Sequence, residues 1–75
     1  MQTEFTCGIY SVQFTPANHW DLNIHPHTVG TIEPDGSALT LYATMMLPVD
    51  NLIEIAVLMN NIKRQYKQHA NTANT

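Results

Sequence analysis

Residues 28–47, TVGTIEPDGSALTLYATMML, decide the fold, together with the stretch PVDNLIEIAVLMNNIKRQYKQ at 48–68 that follows them. Glu33-Pro34-Asp35-Gly36 is turn chemistry. Proline presets φ at the first central position, and glycine supplies the positive φ that lets two strands pair across a three-residue loop. The spacing predicts a β-hairpin. Its second strand alternates with period two, Leu39, Leu41, Ala43, Met45 and Leu47 on one side and Thr40, Tyr42, Thr44 and Met46 on the other.

Pro48 ends that strand and suits the first turn of a helix, where its missing N–H costs nothing, and Asp50 places a negative charge near the positive end of the helix dipole. The periodicity predicts a helix from Pro48 to Gln68 with Leu52, Ile55, Ala56, Met59, Ile62 and Tyr66 as its core stripe. Lys63, Arg64 and Lys67 then complement the C-terminal end of the dipole. The helix carries more apolar residues than one stripe needs. At about 100° per residue, Ile53 and Val57 lie well round from the stripe, next to Asn60 and Arg64, and Leu58 widens the apolar arc on the other edge. Ile53, Val57 and Arg64 are therefore candidate contact residues. The final HANTANT, 69–75, has nothing larger than alanine to bury and reads as a disordered tail, leaving 1–68 as one domain.

Upstream, TEFTCGIYSVQF at 3–14 is β-branched and aromatic, but its alternation changes face partway. Phe5, Cys7 and Ile9 share one phase, and Tyr10, Val12 and Phe14 the other. A bulge near Gly8, or a strand covered on both sides, accounts for the switch. Thr15 to His19 reads as a turn. Trp20, Leu22 and Ile24 then alternate over a short extended segment ending at Pro26, whose missing donor suits a sheet edge. The sum is an α+β domain, with an antiparallel sheet of three or four strands packed on one C-terminal helix.

Charge is distributed unevenly. No lysine or arginine occurs before Lys63, and the three cationic residues fall within five positions. With six carboxylates the formal net charge is −3, which argues against independent nucleic-acid binding, since phosphate neutralisation needs a spread of cations. A chain of 75 residues buries only roughly 60% of its unfolded surface, too little for a deep catalytic cleft. Apolar residues make up 44% and charged ones only 12%, leaving little charge to cover the outside. Cys7 has no second cysteine to pair with and sits in a strand-like run, which reads as a buried thiol in a reducing compartment. The polar, acidic start MQTEF is unlike a secretory signal, and the longest apolar run falls short of a membrane span, so cytoplasm is the expected location.

The residues with site chemistry cluster in the middle. His19, Asp21, His25 and His27 are metal-ligand types within nine positions, and in an extended segment His25 and His27 would point the same way. No H-x-x-x-H pair or CxxC accompanies them, and no nucleophile elbow or phosphate-cradling loop is present, so no catalytic residue and no cofactor is expected. Trp20, the one tryptophan, reads as a core residue or as an aromatic anchor for a partner. By elimination the expected function is non-catalytic binding. The chain would act as an inhibitor or adaptor that occupies a surface of a larger protein, in the style of phage or mobile-element accessory proteins. A structural homodimer and a metal protein using His19, His25 and His27 are the alternatives.

Overall fold

The computed structural model describes the backbone of residues 1–73 and the side chains of 1–69. Five strands form one antiparallel sheet in the order of the chain: β1 (Glu4–Cys7), β2 (Tyr10–Phe14), β3 (Trp20–Ile24), β4 (His27–Ile32) and β5 (Leu39–Leu41). A single helix, α1 (Val49–Ala73), closes the chain over one face of the sheet. The α+β architecture is the one the periodicities predict, with one or two strands more than expected.

The extra strand comes from Gly8. What the sequence suggests is a bulge in one long strand is a two-residue hairpin turn between Cys7 and Tyr10, with Gly8 at φ 61° in the first central position. That position of a type II′ turn favours glycine, because a side chain there is crowded. The turn also resolves the change of phase. Phe5 pairs with Val12 and Cys7 with Tyr10, so the two halves of 3–14 fold back and present one apolar face, while Ile9 is left exposed at the turn. The next connection, Thr15 to His19, is the turn the sequence predicts. The Thr15 N–H donates to the His19 carbonyl at 2.9 Å, and Asn18 takes a φ of 65°.

Pro26 does not mark a sheet edge. It lies with His25 in a two-residue turn between β3 and β4, Ile24 pairing with His27, and β3 is the central strand. The predicted hairpin is present, with Pro34 to Gly36 at its turn. Glu33 donates its N–H to Ala38, closing a four-residue loop rather than the expected three-residue one. Gly36, at φ 76°, faces the helix so closely that a Cβ would meet the Met59 carbonyl at 2.7 Å and the Lys63 amide at 2.9 Å. The strand expected to reach Leu47 stops at Leu41. Opposite it β4 carries a bulge, where Leu22 pairs with Gly30 and Asn23 with Thr28, leaving Val29 over. Tyr42 donates to the Val29 carbonyl at 3.0 Å, and the chain then leaves the sheet for the helix.

Pro48 stands just before the helix and accepts its first bonds, from Asn51 at 3.0 Å and Leu52 at 3.1 Å. The helix continues to Ala73 through positions the sequence assigns to a tail, and residues 74 and 75 lie outside the described residues. Lys63, Arg64 and Lys67 are consequently interior to the helix, with no cation in its last turn, so they do not cap the dipole.

The core consists of Tyr10, Val12, Trp20, Leu22 and Ile32 from the sheet against Ile55, Leu58 and Ile62 from the helix. Among the described residues no buried side-chain polar atom lacks a partner. The helix stripe is therefore rotated from the expected one. Leu58, placed by the sequence at the edge of the arc, is fully buried, while Leu52, Ala56 and Tyr66 are exposed. Trp20 is only 2% exposed and packs between Phe14, edge-on at 5.3 Å, and Phe5 at 5.8 Å. It is a core residue, not an anchor offered to a partner.

Two hydrogen-bonded clasps hold the helix to the sheet. The Glu54 carboxylate lies over Gly8 and accepts the Ile9 N–H at 3.1 Å, so a side chain at Gly8 would collide with it. Near the other end, the Gln65 amide accepts the Gln2 N–H and donates to the Gln2 carbonyl, both at 2.8 Å, completing the backbone groups of the first residues as a neighbouring strand would.

Candidate functional site

With one helix face committed to the sheet, three surfaces remain that residue chemistry distinguishes. The first is the outer face of α1. Taking about 100° per residue, Leu58 defines the buried side, and Val49, Ala56 and Asn60 lie nearly opposite it, flanked by Leu52, Ile53 and Val57. Val49 is 68% exposed, Ile53 56% and Val57 42%. Ile53 and Val57 are thus where the sequence places them, off the core and open to solvent. Arg64 is exposed too, two turns beyond Val57 on the same side. The exposed Met46 stands just before the helix start and adds to the apolar character of this end. The apolar stretch gives way to Asn60 and then to Lys63, Arg64 and Lys67, so the face is apolar in its first half and basic in its second.

The second surface is the outer face of the sheet. The alternation that buries Val12 and Leu22 turns Ser11, Gln13, Asp21 and Asn23 outward, and with Glu4 and Thr28 they line a shallow recess of about 300 Å³. One pair within it is hydrogen-bonded, and His19, outside its lining, engages Asp21. Thr28 donates to Asn23 at 2.7 Å, and the His19 Nε2 lies 3.2 Å from the Asp21 carboxylate.

The histidines do not converge here. His25 lines the recess from the β3–β4 turn, whereas His27 opens β4 opposite Ile24. The common direction expected of an extended His25-Pro26-His27 is lost because Pro26 is in the turn. Among the described residues no three His, Cys, Asp or Glu side chains are grouped to hold a metal ion. Cys7 is a free, half-buried thiol on the helix-facing side of β1.

The third surface lies where the helix crosses the ends of the hairpins. An apolar cleft of about 210 Å³ is walled by Phe14, Trp20, Ile62 and Tyr66. A smaller recess of about 180 Å³ lies beside it, between the 35–37 turn and Lys63, Tyr66 and Lys67. Asp35 sits in that recess with its carboxylate held below its ordinary value. The hydrogen bonds from Ser37 are the main cause, Lys63 adding a smaller pull. Neither recess is visible in the sequence, because each is walled by residues far apart in the chain, Phe14 and Tyr66 in the cleft and Asp35 and Tyr66 in the smaller recess. The Pro34-Asp35-Gly36 turn and the basic cluster of Lys63 and Lys67 are the local signals that touch them.

Among the described residues no helix is long and apolar enough to cross a membrane. Comparison with protein-family models, curated proteins and solved structures finds no match to this chain.

Proposed function

We propose that this chain is a non-catalytic protein-binding module that works through the outer face of its helix, occupying a surface of a larger protein as an inhibitor or adaptor does. The observation that carries this reading is the exposure of Val49, Leu52, Ile53 and Val57 on the side of the helix opposite Leu58. Met46, 94% exposed just before the helix, adds to the large apolar side chains that this end leaves open. The basic half that follows, Lys63, Arg64 and Lys67, favours a partner whose apolar groove ends in carboxylates. Helix-in-groove docking of this kind reads residues at three- and four-residue spacing, and Val49, Ile53, Ala56 and Asn60 have it. An accessory protein of a phage or mobile element, acting in the cytoplasm, fits the size and style of the chain.

A second copy is the alternative partner, favoured by one feature. Asp50, Ile53, Val57, Asn60 and Arg64 follow one another at spacings of three and four, with opposite charges at the two ends. Antiparallel pairing of two such stripes brings each Asp50 toward the other copy's Arg64.

The test is affinity capture from the source cells with the wild-type chain and with Ile53→Glu/Val57→Glu, both confirmed folded by circular dichroism. The reading expects one stoichiometric partner retained by the wild type and lost from the variant, because charge in a dry interface is strongly unfavourable. Equal capture by both proteins contradicts it. Sedimentation equilibrium separates the two partners: a dimer that becomes a monomer in the variant assigns the face to self-association.

A further inference from the structure

The cleft and the recess at the hairpin ends are neighbours by construction. Pro34, Ile62 and Tyr66 wall the apolar cleft, and the residues that follow them in sequence, Asp35, Lys63 and Lys67, wall the recess, with Tyr66 common to both. Consecutive helix residues diverge by about 100°, so the two spaces lie side by side along α1, separated by the half-exposed Tyr66 ring. One space is mainly apolar, with Met1, Phe14 and Tyr66 over the buried Trp20 and Ile62, and Asn18, Gln65 and His69 also line it. The other holds two of the three cations of the whole chain. Its single carboxylate, Asp35, is already engaged by the Ser37 N–H at 3.0 Å, which leaves the recess net positive toward a visitor.

We propose that the two spaces together bind a small amphipathic carboxylate, with its apolar body in the cleft over Phe14, Trp20 and Ile62 and its carboxylate between Lys63 and Lys67. Charge complementarity selects the anion, since an ammonium in the recess would meet both lysines. Size selects the body. At about 210 Å³ the cleft exceeds the roughly 150 Å³ of an apolar cavity that takes benzene, and with the recess it reaches the lower end of small-ligand pockets, about 300 Å³. A short acyl chain or one aromatic ring matches this volume. The apolar part of the site is separate from the outer helix face, because Ile62 and Tyr66 lie on the other side of the helix from Ile53 and Val57, while Lys63 and Lys67 are shared with that face's basic half.

Octanoate is the probe, titrated into the full chain, with octylamine and octanol as controls. Trp20 fluorescence and amide NMR shifts report occupancy. The proposal expects saturable binding, shifts centred on Phe14, Trp20, Ile62 and Lys67, and octanoate preferred to octylamine by at least about tenfold. In Lys63→Glu/Lys67→Glu, whose exposed side chains leave the core untouched, the preference should reverse while octanol binds as before. Absence of saturation at millimolar octanoate overturns the proposal, as does equal affinity for all three probes. Shifts centred on Ile53 and Val57 overturn it too, since they would mean the acid merely coats the outer helix face. If octanoate fails and a short peptide ending in an aromatic and an acidic residue binds instead, the site serves a protein partner and the small-acid proposal falls.

Discussion

The two faces of α1 are close in composition and opposite in fate. Ile55, Leu58 and Ile62 are buried to within a few per cent, while Val49, Ile53 and Val57, drawn from the same aliphatic types at the same helical spacing, stand in solvent. The difference does not lie in the helix. It lies in what faces each stripe: the meander of β1–β5 offers one apolar side, and among the described residues no second layer covers the other. In its first half the helix therefore carries apolar side chains on two sides, of which the sheet covers one.

The strongest way to break this comparison is to attack the buried side. A 75-residue domain has roughly 4–11 kcal/mol of stability in total. Trp20→Ala removes a ring packed on Phe5 and Phe14 and should cost about 4 kcal/mol, enough to unfold much of the population. Leu58→Ala should cost about 3 kcal/mol in denaturant melts, against less than about 1 kcal/mol for Val57→Ala one residue earlier. Similar losses at 57 and 58 would mean that the faces are wrongly assigned.

Next in size come the clasps. Gly8→Ala combines a positive φ with a collision against the Glu54 carboxylate and should cost about 2 kcal/mol. In a Glu54→Ala background the collision disappears, and the cost should fall to about the 1 kcal/mol of the backbone strain alone. A cost unchanged in that background would mean Glu54 does not lie over the turn.

The smallest effect is electrostatic. The folded protein holds the Asp35 carboxyl below its ordinary 3.8. A depressed folded value means that the ionised form favours folding, so this contribution is fully present above the unfolded value and fades as pH falls through the folded one. Asp35→Asn should therefore lower the melting temperature slightly at pH 7 and not at all at pH 2, and a loss that persists at pH 2 would assign Asp35 a packing role. His25→Ala with His27→Ala should alter stability by no more than about 0.5 kcal/mol, as befits exposed side chains.

Much of this fold can be read from local chemistry. Proline, aspartate and glycine at 34–36 specify a turn, and alternation at 20–24 specifies a strand, because each signal is carried by adjacent residues. The signals that misled are those with two physical solutions. Gly8 serves a bulge as well as a two-residue turn, and only the pairing of Phe5 with Val12 decides between them. The helix phase is similar. Apolar residues at 52, 53, 55–59 and 62 allow several stripes, and the choice of 55, 58 and 62 is made by the sheet, a partner that periodicity does not see. For the same reason Ile53 and Val57 were legible as surplus, while the cleft beside Tyr66 was not. Trp20 allows two readings, core or anchor, because its neighbours Asp21 and His19 are polar, and alternation in a central strand decides for the core by turning the ring inward.

The central claim is that one face of α1 is core and the other stands open to solvent. Thermal unfolding of Ile53→Glu/Val57→Glu tests it most directly, with Leu58→Glu melted in parallel. The account predicts a cooperative transition within a few degrees of wild type for the double variant, and no folded baseline for Leu58→Glu. Loss of the transition in the double variant would contradict it, placing Ile53 and Val57 in the core and leaving no apolar face for a partner.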